Sequence, residues 1–190
     1  MLSLFLPESF IGKIRKIIAP FPEDINKYLS SDKSLIDIGA GNGYLLSLIH
    51  VTKRISAVEP WGRKRAYLNK KFSGIKTHEN IENLREKFDV VTAIDVLHHI
   101  KNKREHFIDK LMSLTKESGI LIIMDMRKDL IFHKYFNRIH DFFSTFSLIN
   151  EMDDRELLEI LSKNGFEIKK HLRFEVGPYA HYYITAQKIR

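Results

Sequence analysis

The sequence predicts an α/β fold in which a seven-stranded, mostly parallel sheet lies between two layers of helices. Short apolar runs alternate with longer runs of helical periodicity through most of the 190 residues, and this alternation is typical of a parallel sheet covered by helices. The last two strand-like runs follow each other without an intervening helix. They therefore predict an antiparallel hairpin at one edge of the sheet.

The individual elements follow in order along the chain. Strands are predicted at 34–39, 54–60, 74–79, 88–95, 119–126, directly after Gly165, and at 181–188. Helices are predicted at 44–51, 62–72 and 102–116, and in the run that ends at Asn164-Gly165. The fourth and fifth strands are continuously apolar, which indicates central strands that are buried on both faces. Gly and Pro within residues 176–179 predict the turn of the final hairpin.

Two helical segments stand outside this alternation, within what is predicted to be a single domain. Residues 1–33 are interrupted by prolines and are interpreted as a helical cap over the sheet. Residues 127–150 carry six aromatic side chains at a spacing of mainly three and four, which predicts a helix with a broad apolar face. This helix is interpreted as a lid over an apolar substrate, as a core helix, or as a basic amphipathic surface for anionic lipid.

The composition limits the classes of partner. A formal net charge of +7 favours anionic partners such as nucleic acid or phosphorylated substrates. Arg and Lys are locally dense only in residues 61–72 and 100–107, and each run is interpreted as a solvated basic helix face. The chain has no cysteine, which excludes disulfides and thiolate metal sites and fits a cytoplasmic location. Neither a transmembrane helix nor a signal peptide is expected.

The candidate binding site begins with the glycine-rich sequence Leu-Ile-Asp-Ile-Gly-Ala-Gly-Asn-Gly at residues 35–43. Glycines after a strand allow a sharp reversal and a close approach of the backbone to a ligand, and the following helix presents free N–H groups. The third glycine of a dinucleotide fingerprint would fall at Tyr44, and no Gly-Lys-Ser/Thr follows. Both the dinucleotide fingerprint and the phosphate-binding loop are therefore excluded.

Two acidic residues flank this turn. Asp37 stands two residues before Gly39, and Glu59 ends the second strand twenty residues after Gly39. An acidic side chain at the end of the second strand can accept hydrogen bonds from both hydroxyls of a ribose. Two negative charges disfavour a pyrophosphate and suit a nucleoside that carries positive charge. S-adenosylmethionine, which has a sulfonium and an ammonium group, fits this description.

The sequence resembles the class I S-adenosylmethionine-dependent methyltransferases in five segments that occur in the family's order. LIDIGAGNGYLL resembles their first motif, AVEP the acidic end of their second strand, and FDVVTAIDVLHHI the fourth strand of the small-molecule branch, which includes quinone-biosynthesis enzymes. GILIIMDM resembles the fifth strand, and ELLEILSKNGFEI with YYITAQK resembles the closing helix and hairpin. The resemblance covers roughly residues 34–126 and 150–188 and implies a Rossmann-like three-layer sandwich.

The resemblance also implies which residues bind the cofactor. The first motif would hold the methionine part of the cofactor, and Glu59 would bind the ribose. One of the two apolar side chains after Glu59, Pro60 or Trp61, would cover the adenine. As the alternative, Trp61 is a packing residue at the surface. Asn80, or Glu79 if the register differs, would lie near the adenine amino group. The expected cofactor-binding residues are Asp37, Gly39, Ala40, Gly41, Asn42, Gly43, Glu59, Pro60, Trp61, Asn80, Ile81 and Asp95.

Side chains at the end of the fourth strand are expected near the reactive methyl group. His98 is the candidate general base because imidazole exchanges protons near neutral pH; as the alternative, His98 forms a wall of the pocket. The expected substrate-binding residues are His98, His99, Phe132, Tyr135 and Phe136. No metal site is expected, since methyl transfer needs none and the spacing of Asp95, His98 and His99 matches no ligand pattern.

These features predict an S-adenosylmethionine-dependent methyltransferase with a small, partly apolar acceptor. The fourth strand ends in Asp-Val-Leu-His-His and lacks the Asn/Asp-Pro-Pro-Tyr type of motif found in enzymes that methylate amino groups of nucleic acids. The positive charge keeps RNA or protein as the alternative acceptor, and a cofactor-binding module without catalysis is the alternative class. The sequence does not determine the acceptor, the methylated atom or the oligomeric state.

Overall fold

The structure, a computed structural model, describes residues 21–100, 102–127, 152–176 and 179–189. Its strands are β1 (Ser34–Ile38), β2 (Arg54–Val58), β3 (Lys76–His78), β4 (Phe88–Ile94), β5 (Thr115–Met126), β6 (Phe166–Val176) and β7 (Tyr179–Lys188). The α-helices among the described residues are α1 (Phe21–Asn26), α2 (Gly62–Lys71), α3 (Arg104–Leu114) and α4 (Asp154–Lys163).

The strands form one sheet in the order β3-β2-β1-β4-β5-β7-β6. Strands β1 to β5 are parallel to one another, whereas β7 runs antiparallel to both β5 and β6. After β1 the chain first builds β2 and β3 on one side and then returns to build β4 and β5 on the other. The predicted seven-stranded α/β fold with an antiparallel closing hairpin is confirmed.

Helices cover both faces of the sheet, so the molecule has two apolar cores. On one face α3 and α4 contribute Ile108 and Leu157, which pack among sheet residues such as Val91. On the other face α1 and α2 contribute Ile25 and Leu68 to a second cluster. Because successive side chains of a strand point to opposite faces, the buried central strands supply both cores.

Helix α1 is fixed to the sheet by a buried hydrogen bond. Tyr183 of β7 donates its hydroxyl to Asp24 Oδ2 at 2.9 Å, while Ile25 and Leu29 of the same segment are buried. The remainder of the predicted cap, residues 1–20, lies outside the described residues. Residues 128–150, the main part of the predicted lid, also lie outside them.

The predicted helix at residues 44–51 is wrong. The structure has one short 3-10 turn there, Leu46–Leu48, after which Ile49 is extended. The Asn26 side-chain amide donates to the Leu48 carbonyl at 3.1 Å and ties the end of the 3-10 turn to α1. Ile49 is buried, and its β-branched side chain is compatible with the extended backbone. Tertiary contacts therefore override the helical periodicity of this segment.

No helix in the described part of the chain is long and apolar enough to cross a membrane.

Candidate functional site

The predicted site residues that the structure describes gather where the parallel strands end. Because β1, β2, β4 and β5 run in the same direction, the segments that follow them lie along one edge of the sheet. The connections after β1 and β4 leave in opposite directions from neighbouring strands. Such a change in strand order opens a crevice beyond the carboxyl ends of an α/β sheet, where ligands usually bind.

The glycine-rich turn after β1 has one open position and two closed ones. Gly39, Gly41 and Gly43 all have positive φ angles, of 75°, 56° and 73°. A Cβ atom on Gly39 would lie 2.6 Å from Val96 Cγ2, and one on Gly43 would lie 2.5 Å from Phe72 Cε2. A Cβ atom on Gly41 would meet nothing closer than the Gly39 carbonyl oxygen at 4.0 Å. The turn therefore exposes its backbone at Gly41, while Gly43 allows close packing of α2.

Glu59, which follows β2, is held against this turn. Its side chain is buried, with 3% of its surface exposed. Gly41 donates its backbone N–H to Oε2 at 2.9 Å, and Trp61 donates its N–H to Oε1 at 3.0 Å. Each carboxylate oxygen has two lone pairs, so both oxygens keep the capacity to accept a further hydrogen bond.

Asp37 of β1 is the second buried carboxyl group at this edge. Thr92 of β4, its register partner across the β1–β4 boundary, donates its hydroxyl to Asp37 Oδ1 at 2.8 Å. Burial raises the pKa of Asp37 to about 7; the hydrogen bond from Thr92 opposes this rise, and the charge of Glu59 adds to it. Because the effect of burial outweighs the hydrogen bond from Thr92, a cationic ligand would stabilise the charged form of this carboxyl group.

The residues expected around the adenine lie at the same edge, with different exposure. The His78 carbonyl at the end of β3 accepts from the Glu59 N–H at 3.0 Å, so residues 79–81 follow close to β2. Asn80 is exposed, and its Oδ1 accepts from the Asn83 N–H at 3.4 Å. Ile81 is buried in the core of the α3–α4 face.

The remaining expected cofactor residues lie mostly at the surface. The Trp61 side chain is 70% exposed, and Asn42 and Pro60 are also exposed. Ala40 is buried, and its N–H donates to the Val58 carbonyl at 3.1 Å. Glu79, the alternative to Asn80, is exposed and pairs with Arg65 at 3.0 Å. The structure thus leaves Trp61 accessible beside the buried Glu59.

His98 lies in a buried hydrogen-bonded pair with Asp125 that the sequence analysis missed. Its Nδ1 is 2.6 Å from Asp125 Oδ1, and both side chains are 2% exposed. Asp125 Oδ2 accepts the backbone N–H groups of Val96 at 3.0 Å and Leu97 at 2.6 Å. Asp125 Oδ1 also accepts the Met126 N–H at 2.7 Å. One sequence signal was present: Asp125 is the single charged residue in the strand run Gly-Ile-Leu-Ile-Ile-Met-Asp-Met.

The contacts of Asp125 keep it charged in this apolar setting. Burial acts to raise its pKa, but the neighbouring His98 and the backbone N–H donors hold the pKa below its ordinary value. The carboxylate therefore connects β5 to the turn after β4 and orients the His98 ring. His99, by contrast, is exposed, with its ring centroid 3.9 Å from that of His98.

Asp95, the first residue after β4, has an unusual backbone and a second histidine beside it. Its φ angle is 55°, in a region that non-glycine residues adopt rarely. Its Oδ1 lies 3.4 Å from Nε2 of His181 on β7, and the His181 side chain is buried. The sequence analysis did not consider His181, because nothing in its local pattern distinguishes it from other polar residues of a closing strand.

Three of the expected substrate-binding residues, Phe132, Tyr135 and Phe136, lie outside the described residues. Within the described ranges, no group of three or more His, Asp or Glu side chains is placed to hold a metal ion.

The comparison of the sequence with known protein families identifies one that matches most of the chain. The pattern described as a methyltransferase domain matches residues 10–171. The chain belongs to this family. The resemblance to class I S-adenosylmethionine-dependent methyltransferases, given above on sequence motifs, is thereby confirmed.

Two proteins of similar sequence are methyltransferases by name. The ribosomal protein L11 methyltransferase of Nitratiruptor sp. is 28% identical over 151 residues, which are 74% of this chain and 49% of that protein. The mitochondrial ubiquinone biosynthesis O-methyltransferase of Schizosaccharomyces pombe is 30% identical over 112 residues, which are 53% of this chain and 40% of that protein. The matches thus span less than half the length of these relatives.

Solved structures of methyltransferases share the fold at low sequence identity. The magnesium protoporphyrin IX methyltransferase of Synechocystis with bound S-adenosylhomocysteine has a TM-score of 0.69 and 18% identity, over 94% of this chain and 84% of that one. The N-methyltransferase NodS of Bradyrhizobium japonicum in complex with S-adenosylhomocysteine has a TM-score of 0.71 and 12% identity, over 93% and 88%.

Proposed function

We propose that this methyltransferase-domain protein binds S-adenosylmethionine beyond the ends of β1 and β2 and transfers its methyl group to a small, partly apolar acceptor. The observation that carries the proposal is the placement of Asp37 and Glu59. Two buried carboxyl groups flank a turn whose backbone is open at Gly41. A cationic nucleoside is the class of ligand that such a site would favour.

The chemistry of this site fits the cofactor in three respects. Asp37 would stabilise the positive charge of the cofactor and would itself become ionised on binding. Glu59, already oriented by two backbone donors, would accept the ribose hydroxyls on its remaining lone pairs. The backbone at Gly41 would approach the methionine part closely, in the space that a side chain would occupy.

The other expected cofactor residues complete this proposal. The exposed Trp61 ring would cover the adenine, with Asn80 and Ile81 at its edge. The residues assigned to the methionine and ribose sides are Asp37, Gly39, Ala40, Gly41, Asn42, Gly43, Glu59, Pro60 and Asp95. The bound cofactor supplies an electrophilic methyl group, and the chain supplies binding, alignment and exclusion of water.

On the acceptor side, His98 is proposed as the general base. Asp125 pairs with Nδ1, so Nε2 is the nitrogen on the opposite side of the ring and is assigned to accept a proton from the acceptor. His99 lies beside it at the exposed end of the turn. Residues 1–33 as a cap and 127–150 as a lid, with Phe132, Tyr135 and Phe136, would close the site within one domain. A cytoplasmic location remains part of the same proposal.

Two relatives support a small acceptor over a macromolecular one. The names of the ubiquinone biosynthesis O-methyltransferase and of the magnesium protoporphyrin IX methyltransferase refer to small molecules. The ribosomal protein L11 methyltransferase keeps a protein acceptor as the alternative. Incubation with methyl-labelled cofactor and separate pools of small molecules, RNA and protein would distinguish these acceptors by where the label appears.

Calorimetry with S-adenosylhomocysteine tests the cofactor site. Glu59→Ala should weaken binding roughly 10- to 150-fold, the cost of losing hydrogen bonds to a charged group. Glu86→Ala is the matched control, because it removes an exposed carboxylate just before β4, at the opposite edge of the sheet, and should leave the affinity unchanged. Equal affinity of Glu59→Ala and the wild-type protein, with both folded, would contradict the ribose assignment.

A further inference from the structure

Helix α2 carries an exposed aromatic ring within a face of positive charge. Five of its ten residues are Arg or Lys, and none is acidic. With about 3.6 residues per turn, one side of the helix collects Arg63, Lys64, Tyr67, Lys70 and Lys71, and all five are exposed. We call this set the α2 basic face.

The opposite side of α2 is occupied by contacts to the protein. Leu68 is fully buried. Arg65 Nη2 donates to Glu79 Oε2 at 3.0 Å, and the Asn69 side chain accepts from the Thr77 hydroxyl at 3.1 Å. These contacts orient α2 on the β3 edge of the sheet, so the α2 basic face points to solvent.

The charges of this face are not balanced by the chain. Within the described ranges, no salt bridge joins Arg63, Lys64, Lys70 or Lys71 to an acidic residue. Cations in the first turn also oppose the positive end of the helix dipole. The arrangement therefore disfavours the isolated helix, and an anionic partner would offset the repulsion.

Aromatic rings lie among these charges in a form suited to stacking. The Tyr67 side chain is 48% exposed, and Lys71 Nζ lies 5.5 Å from its ring centroid. Trp61, at the amino end of α2, is 70% exposed, and Lys64 Nζ lies 5.7 Å from its ring centroid. Both rings are therefore accessible to solvent and lie next to a cation.

We infer that the α2 basic face binds single-stranded nucleic acid, with Tyr67 as the ring on which a base stacks. Lys and Arg neutralise backbone phosphates, and unpaired bases stack on exposed aromatic rings regardless of sequence. A helix that binds a membrane surface buries its own apolar face in the lipid, whereas the apolar side of α2 is already packed on the protein through the fully buried Leu68. This binding goes beyond the proposed methyl transfer, because it does not require the nucleic acid to be the acceptor.

The salt dependence of binding tests this inference without cofactor present. The probes are fluorescently labelled oligouridine and oligothymidine strands. Their affinity for the protein is measured by fluorescence anisotropy between about 50 and 200 mM salt. Four contacting cations predict a slope of log affinity against log salt of about −3, and Lys70→Ala with Lys71→Ala should reduce its magnitude by about 1.4. Tyr67→Ala should weaken binding about fivefold or more with the slope unchanged. The oligouridine and oligothymidine arms show whether RNA or DNA is preferred.

A matched control removes the same charge from the opposite edge of the sheet. The double variant Lys163→Ala with Lys169→Ala changes one residue of α4 and one of β6. It should leave the affinity for the strands and the slope of its salt dependence unchanged. An equal loss in this control, no effect of Tyr67→Ala, or binding to anionic vesicles but not to strands would overturn the inference. The Glu59→Ala test of the cofactor site is independent of these measurements. Transfer of the methyl label to RNA would support nucleic-acid binding by the α2 basic face and would refute the proposal of a small acceptor.

Discussion

The Asp125 carboxylate holds the His98 ring through an Oδ1–Nδ1 contact of 2.6 Å, with both side chains 2% exposed. The same carboxylate accepts backbone N–H groups from the turn that follows β4. Asp125 therefore sets the shape of the turn as well as the orientation of the histidine. Its role as a positioning residue for His98 and its role in stability have the same geometric origin.

Asp125→Asn should lower the free energy of unfolding by about 1–3 kcal/mol, the usual cost of leaving buried hydrogen-bond donors without a partner. An amide accepts on one atom only, so it cannot satisfy the N–H donors of the turn and His98 together. Urea unfolding followed by circular dichroism measures the change. As a control, Asp109→Asn, at an exposed position of α3, should leave the free energy of unfolding within about 0.5 kcal/mol of the wild-type value. An equally small effect of Asp125→Asn would refute the proposed role of Asp125 in holding the turn and His98.

The Asp125–His98 pair should also make the free energy of unfolding depend on pH in the acidic range. The pKa of Asp125 is lowered in the folded state, so this group stabilises the fold above its unfolded pKa. That contribution is lost as the pH falls below about 4, toward the folded pKa. Unfolding free energies measured from neutral to acidic pH should decline more steeply in the wild-type protein than in Asp125→Asn. Parallel profiles would show that the carboxylate is not responsible.

The pH dependence of stability that Asp37 contributes has the opposite sign to that of Asp125. Its folded pKa is raised to about 7, so between its unfolded pKa and 7 the folded state binds more protons than the unfolded state. The stability contributed by this group therefore falls as the pH rises through that interval. Asp37→Asn, which keeps an oxygen for the Thr92 hydroxyl, should show a flatter profile over the same interval. A wild-type profile that rises between these pH values would contradict the raised pKa.

Binding of a cation should reverse this protonation. If S-adenosylmethionine binds with Asp37 ionised, the affinity should increase about tenfold between pH 6 and pH 8 because of this group. Calorimetry at pH 6 in buffers of different ionisation enthalpy should also detect proton release. The ratio of wild-type to Asp37→Asn affinity isolates the effect, since both proteins experience the same titration of the ligand. A ratio independent of pH would refute the proposed contact.

The sequence predicted the sheet, and the meeting of the glycine-rich turn with Glu59 at one edge of it, because both depend on local patterns. The apolar runs of β4 and β5 are long enough to identify central strands, and the Gly39–Gly43 turn and Glu59 are recognisable by spacing. The helix predicted at 44–51 failed because two contacts distant in sequence, the burial of Ile49 and the hydrogen bond from Asn26 to the Leu48 carbonyl, accompany a short 3-10 turn and extended backbone. Asp125 was missed for the same reason: its partners come from the turn after β4, and no short motif reports that contact.

Two glycines of the turn should respond differently to alanine. Gly41→Ala places a methyl group in open space, so stability should fall only by the backbone strain of about 1–2 kcal/mol, while cofactor affinity should drop at least tenfold. Gly43→Ala carries similar strain and in addition directs Cβ to within 2.7 Å of Leu68 Cδ2, so its stability loss should be larger. Urea unfolding and calorimetry separate the two effects. Full cofactor affinity in Gly41→Ala would show that the ligand lies elsewhere.

Neighbouring tyrosines of β7 provide a final matched pair. Tyr183 donates its hydroxyl to Asp24, whereas the buried Tyr182 hydroxyl has no hydrogen-bond partner among the described residues. Tyr183→Phe removes one partner of a hydrogen bond to a carboxylate and should cost about 1.5–3 kcal/mol. Tyr182→Phe removes an unsatisfied buried group and should be neutral or stabilising. Since both rings are fully buried, the two variants differ only in hydrogen bonding, and equal losses in urea unfolding would contradict this assignment.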